Sequence, residues 1–225
     1  MSDPFKWSSP TGQALCQQIL KETRLSYEPH DCQIEGVCQS LDGVNLLAIT
    51  PTGSDKTSYY IMYILVVLAV INNPLLCPTA KFPKNPCLIV ICPTIPLQLE
   101  MVSKILLGCS SELTILKASK MDRAGINVVS INSATRDAAS RLREEELCVT
   151  AWTNGNAIVA GPEQLKLKEF EQALLDDLFW VRVCGLGFDE VHLLNIWGPR
   201  FRKDFLQMGF VKVRLNDTHC PWIML

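Results

Sequence analysis

Short apolar runs alternate with longer stretches of helical spacing along the chain. Residues 45–49 (Asn-Leu-Leu-Ala-Ile) read as a buried strand, and 57–71 as the apolar helix that follows it. A loop carrying Pro74, Pro78, Pro83 and Pro86 leads to a second strand at 87–91. Residues 97–107 have helical spacing, 126–131 are β-branched and strand-like, and 136–147 read as a charged, exposed helix. A strand at 157–160, a helix at 165–178 and a strand at 181–188 complete the alternation. A further helix is expected near 11–25. Strands alternating with helices specify an α/β fold, a central, mostly parallel sheet with helices on both faces. Ligands of such sheets bind beyond the carboxyl ends of the strands.

Two chemistry-bearing segments fall at such ends. Thr50-Pro51-Thr52-Gly53-Ser54-Asp55-Lys56-Thr57 lies between the first strand and its helix. A Gly-containing turn there aims backbone N–H groups at phosphates, a Lys reaches the β/γ-phosphates, and a Thr hydroxyl suits Mg²⁺. Phe188-Asp189-Glu190-Val191-His192 follows the last strand. Nucleotide-bound Mg²⁺ needs a hard oxygen ligand, for which Asp189 is the candidate. A neighbouring carboxylate can deprotonate an attacking water, which makes Glu190 the candidate base. Either segment alone reads as an ordinary turn with solvated polar groups; together they describe an ATP site.

With these motifs in order, the chain resembles the first RecA-like domain of superfamily-two helicases, and among them the RecQ-like DNA helicases in a fungal form. The resemblance covers about residues 25–225, with 1–24 as an N-terminal extension. It implies a RecA-like P-loop NTPase fold using ATP and Mg²⁺. Thr52, Gly53, Ser54, Asp55, Lys56 and Thr57 would hold phosphates, Thr57 and Asp189 would ligate the metal, and His192 would couple ATP to DNA. Gln33, in Pro29-His30-Asp31-Cys32-Gln33, matches the glutamine that reads adenine, a task suited to an amide that donates and accepts.

The resemblance also places nucleic acid. Cys92-Pro93-Thr94-Ile95-Pro96-Leu97-Gln98 resembles the strand-end element that touches the DNA backbone, with Thr94 and Gln98 as contacts; Thr94 also reads as a helix N-cap. Gly161-Pro162-Glu163 resembles the next such element, with glycine in place of a hydroxyl residue. Trp197-Gly198-Pro199-Arg200-Phe201-Arg202 resembles the aromatic-rich loop of RecQ-like enzymes. Trp197 and Phe201 would stack on unpaired bases, while Arg200 and Arg202 grip phosphates. The expected partner is single-stranded or forked DNA, unwound 3′–5′, in a nuclear setting.

Three departures from the family change the expectation. Asp55 stands where the family has Gly next to the β-phosphate. A side chain crowds that turn. Two like charges about 4 Å apart repel by about 4 kcal/mol at an effective dielectric of about 20. Lys56 offers Asp55 a local partner and would be partly neutralised by it. Weak ATP binding with little hydrolysis is expected. Secondly, the family continues past residue 225 into a second RecA-like domain, so unwinding by this chain alone is not expected. Thirdly, residues 104–124 are long for the family and suggest an insertion. Two other classes stay open: a non-catalytic nucleic-acid-binding module, and another P-loop enzyme such as a small-molecule kinase. A base-stacking loop has no use in the latter.

Composition narrows the setting. The chain has 225 residues, 48% hydrophobic and 20% charged, enough for one full core. A net charge of −2 gives no global basic signature, although binding follows a local patch. Ten Cys without a CxxC pair, and three His, argue against structural zinc. Free thiols and the absence of a signal-like N-terminus point to a reducing intracellular compartment. The most apolar stretch, 61–71, is too short for a membrane span, and no membrane partner is expected.

Overall fold

The computed structural model describes residues 5–23, 25, 27–51, 55–107, 126–141, 147–193, 209, 211 and 220–225. Its helices are α1 (Pro10–Glu22), α2 (Asp31–Leu41), α3 (Ser58–Asn72), α4 (Ile95–Leu107), α5 (Ser133–Arg141), α6 (Leu147–Asn154), α7 (Lys168–Leu175) and α8 (Asp177–Trp180). Its strands are β1 (Leu46–Leu47), β2 (Cys87–Ile91), β3 (Val128–Ile131), β4 (Ala157–Ala160), β5 (Val183–Phe188) and β6 (Trp222–Met224). They form one sheet in the order β1-β6-β5-β2-β4-β3, and the described pairings are all parallel.

The central strands β2, β4 and β5 are buried along their whole length, as expected when helices cover both faces. Side chains alternate between two cores. Leu88 and Val90 face a core built with α1 to α4, while Cys87, Ile89 and Ile91 face one built with Leu165, Phe170 and Phe179. Helix α3 lies inside the first core, with Ser58 to Val67 buried. Its apolar run serves that burial, and among the described residues no helix is long and apolar enough to cross a membrane.

Two glycines of β5 set how closely α3 approaches. A Cβ added at Gly187 would come within 2.6 Å of the Tyr60 ring, and one at Gly185 within 3.2 Å of Tyr63. The rings fill the space that the missing side chains leave. Their hydroxyls then reach backbone: Tyr63 donates to the Cys184 carbonyl at 2.5 Å and Tyr60 to the Ile223 carbonyl at 3.4 Å. Each buried phenol thereby has an acceptor.

Several elements differ from those predicted. Helix α1 spans Pro10–Glu22 and packs into the main core through Cys16, Ile19 and Leu20. The Asp42 carboxylate accepts the N–H groups of Trp7 at 2.7 Å and Ser8 at 2.9 Å. The described part of the first 24 residues is therefore integral to the fold. Helix α5 begins at Ser133, ahead of the expected 136, because Asn132 caps it. Helix α6 and strand β6 were not anticipated; β6 is a three-residue strand that sits between β1 and β5. At the amino-terminal edge of the sheet, Arg182 is buried and donates to the carbonyls of Asn85, Trp152 and Gly155, pinning the loop before β2 to the end of α6.

Candidate nucleotide and nucleic-acid site

The carboxyl ends of β2, β3, β4 and β5 lie along one edge of the parallel sheet, and the chain from β1 into α3 leaves the same edge. Lys56 and Thr57 form the turn that enters α3, with Thr57 in the N-cap position and buried. No side-chain cap bond occupies the Thr57 hydroxyl. Asp55 immediately before them has φ of 47°, in the left-handed region. An L-residue there carries a backbone cost of about 1–2 kcal/mol, so the site of the expected glycine keeps a glycine-like conformation. The Asp55 carboxylate pairs with Lys104 Nζ of α4 at 3.4 Å. Among the described residues this is its ion partner, in place of the expected Lys56. Thr52, Gly53 and Ser54 lie outside the described residues.

Asp189 directly follows β5, where its N–H donates to the Ile91 carbonyl at 3.0 Å and fixes the turn across β2. It is 7% exposed. Burial, followed by repulsion from Glu190, pushes its carboxyl up to about 6; the Glu190 backbone and the cations of Lys56 and Lys104 pull the other way. Lys56 therefore acts on Asp189 across the site. The Cys92 thiol points at Asp189 Oδ2 from 3.9 Å, and burial holds that thiol protonated. Glu190 has φ of 55°, and its Oε2 lies 3.1 Å from His192 Nδ1. The candidate base and the candidate coupling residue are thus in direct contact.

A hydroxyl at Thr57 and a carboxylate at Asp189 are both hard oxygen donors. The buried Asp189 carboxyl, costly to ionise without a cation, fits a Mg²⁺ site. Among the described residues no cluster of three or more His, Cys, Asp or Glu could hold a metal unaided. An ion held here would take its remaining ligands from nucleotide phosphates.

Gln33 is 4% exposed. Its Nε2 donates to Ser58 Oγ at 2.8 Å and its Oε1 accepts the His30 N–H at 3.0 Å. It thereby links the start of α2 to the first residue of α3, a bracing task that the sequence did not reveal.

The expected nucleic-acid residues separate into two kinds. Thr94 is partly exposed and caps α4, its Oγ1 accepting the Leu97 N–H at 3.5 Å. Gln98 is 1% exposed. Its Nε2 donates to the Cys92 carbonyl at 3.2 Å, and its Oε1 accepts Asn132 Nδ2 at 3.1 Å. The expectation that Gln98 touches nucleic acid is not met in this geometry, because both ends of the amide are spent inside. Asn132, which sequence reasoning missed, is fully buried and exchanges reciprocal capping bonds with Thr135 at 3.0 Å each. The signal was Asn132-Ser133-Ala134-Thr135, a capping pattern at a strand end. The Glu163 carboxylate folds over Gly161, where a Cβ would meet it. Trp197, Arg200, Phe201 and Arg202 lie outside the described residues.

A parallel α/β sheet with a phosphate-type turn after an edge strand and an Asp-Glu pair at the end of β5 has known counterparts. The fold is RecA-like. The chain superposes on a hypothetical ATP-dependent RNA helicase from Sulfolobus tokodaii with a TM-score of 0.53 at 16% identity, covering 94% of this chain and 50% of that one. It superposes on the yeast DEAD-box splicing factor Prp28 with a TM-score of 0.56 at 18% identity, covering 93% of this chain and 43% of that one. In sequence it is 23% identical over 216 residues to ATP-dependent DNA helicase Q1 of Rattus norvegicus, spanning 93% of this chain and 28% of that protein. No protein-family model matches the chain. The solved structures show the RecA-like fold, and the chain spans well under a third of helicase Q1.

Proposed function

We propose that this chain is the ATP-binding RecA-like domain of a RecQ-like DNA helicase, working 3′–5′ on single-stranded or forked DNA together with a second RecA-like domain. The observation that supports it most is the position of Asp189-Glu190-Val191-His192 at the end of β5, on the sheet edge from which Lys56 and Thr57 enter α3. Lys56 holds the β/γ-phosphates and Thr57 and Asp189 hold the metal. Bound Mg²⁺ supplies charge neutralisation for the phosphates. Glu190 takes the proton of the attacking water, and His192, in contact with Glu190, reports that step toward the nucleic-acid side. Gln33 reads adenine by exchanging its amide bonds to Ser58 and the His30 N–H for the base edge. Thr94 meets the DNA backbone, and Trp197, Arg200, Phe201 and Arg202 engage unpaired bases and phosphates. Gln98 holds the Thr94 loop in place. The DNA preference, the polarity, the nuclear setting and a role in recombination and repair all rest on the resemblance to RecQ-like helicases.

A second reading, a nucleic-acid-binding module with weakened ATP turnover, is favoured by one observation, the charged and left-handed Asp55. One experiment separates the two. ATP hydrolysis by the native chain is measured with and without forked DNA, single-stranded DNA and single-stranded RNA. DNA-stimulated turnover that disappears in Glu190→Gln supports the helicase reading. DNA binding by a folded chain that takes up no Mg-ATP supports the module. Phosphate transfer to a small acceptor, with no response to nucleic acid, overturns both.

A further inference from the structure

We propose that Lys104 is a positioning residue of the phosphate site, delivered by α4 to neutralise Asp55 so that the loop keeps a usable affinity for polyphosphate. The inference rests on the nucleotide-site reading above. Asp55 puts a carboxylate where an incoming anion must approach, and left uncompensated it repels that anion. Lys104 Nζ lies 3.4 Å from Asp55 Oδ1 and 3.1 Å from Glu100 Oε1, one turn back on the same helix. Glu100 and Asp55 thus hold the ammonium between them.

The location argues for more than surface decoration. Lys104 is in the last turn of α4, where a cation is favoured by the helix dipole. An exposed pair in that setting adds little to stability, and these side chains are 41% and 44% exposed. Its effect is on what approaches Asp55. Thr94 caps the start of the same helix, so the pair also ties Asp55 to the element that follows the candidate DNA contact.

The test is a four-protein cycle in the full chain: native, Asp55→Gly, Lys104→Met and the double variant. Each is titrated with Mg-ADP by calorimetry, with thermal melts as the check on folding. Expected is measurable binding by the native chain, weakened about tenfold or more by Lys104→Met. In the Asp55→Gly background the same Lys104 change should alter affinity by less than about twofold. Lys104→Arg should retain the native affinity, which a role in packing alone would not predict. Equal effects of Lys104→Met in both backgrounds, or none in the native chain, overturn the proposal while leaving the nucleotide site standing. Binding by Asp55→Gly but not by the native chain also overturns it, because Asp55 is then uncompensated. No binding by any of the four folded proteins removes the nucleotide-site reading, and the role of Lys104 with it.

Discussion

The phosphate side of the sheet edge and the candidate nucleic-acid side handle their polar groups in opposite ways. On the phosphate side, Asp55 and Glu190 are held at positive φ, and Asp189 is buried with its carboxyl pushed up to about 6. Among the described residues no other non-glycine has positive φ. On the other side, Gln98, Asn132, Ser130 and Thr135 close a network in which the amides of Gln98 and Asn132 have partners at both ends. One region stores backbone strain and a buried carboxyl that is costly to ionise, as sites awaiting a ligand do. The other is satisfied without any ligand and acts as scaffold.

The largest effect should come from breaking the scaffold. Asn132→Ala removes the α5 cap and leaves the Gln98 carbonyl buried without its partner, a loss of about 2–4 kcal/mol in urea denaturation. Adding Gln98→Leu should cost less than the sum of the two single changes, since both ends of one bond are then absent. Additive losses would show that the two residues act separately. Nucleotide affinity should move little in either variant.

On the phosphate side the sign reverses. A carboxyl raised from 3.8 to about 6 in the folded protein stabilises the protonated state. That stability is fully present below about pH 4 and is lost as pH rises through about 6. Asp189→Asn should therefore stabilise the metal-free protein at pH 7–8 by about 1–3 kcal/mol and flatten its pH profile between about 4 and 6. The same change should abolish the contribution of Mg²⁺ to nucleotide binding. In the native chain that contribution should fade as Asp189 protonates below about pH 6. A variant that is destabilised at pH 8 would mean that the ionised Asp189 is already well solvated.

Smaller effects sharpen the contrast. Glu190→Gly relieves a left-handed side chain and should raise stability by about 1 kcal/mol while eliminating turnover. His192→Ala, at a half-exposed contact, should change stability by less than about 0.5 kcal/mol. Its effect should be on the stimulation of ATP hydrolysis by DNA. A large stability loss there would assign His192 to packing.

The contrast also explains what the sequence made legible. Groups that serve a ligand lie in short contiguous motifs, so Lys56-Thr57 and Asp189-Glu190-Val191-His192 could be read directly, and the apolar runs gave the parallel sheet. Groups that satisfy one another are distant in sequence. Lys104 of α4 meets Asp55 before α3, and Gln98 of α4 meets Asn132 at the end of β3. An amide looks the same in sequence whether it faces solvent or a buried carbonyl, which is why Gln98 was expected at the surface. Strand β6 is three residues long, too short to show a period, and is defined by its neighbours β1 and β5. The Asp42 carboxylate that ties down Trp7 and Ser8 likewise carries no local signature.

The fit of Tyr60 over Gly187 has a consequence for how this lineage can vary. A side chain at Gly187 would collide with a ring that is fully enclosed and anchored to the Ile223 carbonyl. A smaller residue at Tyr60 alone would open a void against the sheet, one turn away from Thr57. Neither position can drift by itself without disturbing the helix that carries the phosphate turn. Homologues should therefore show the two positions exchanging bulk, with large residues on the helix found where the strand has glycine, and small ones where it does not.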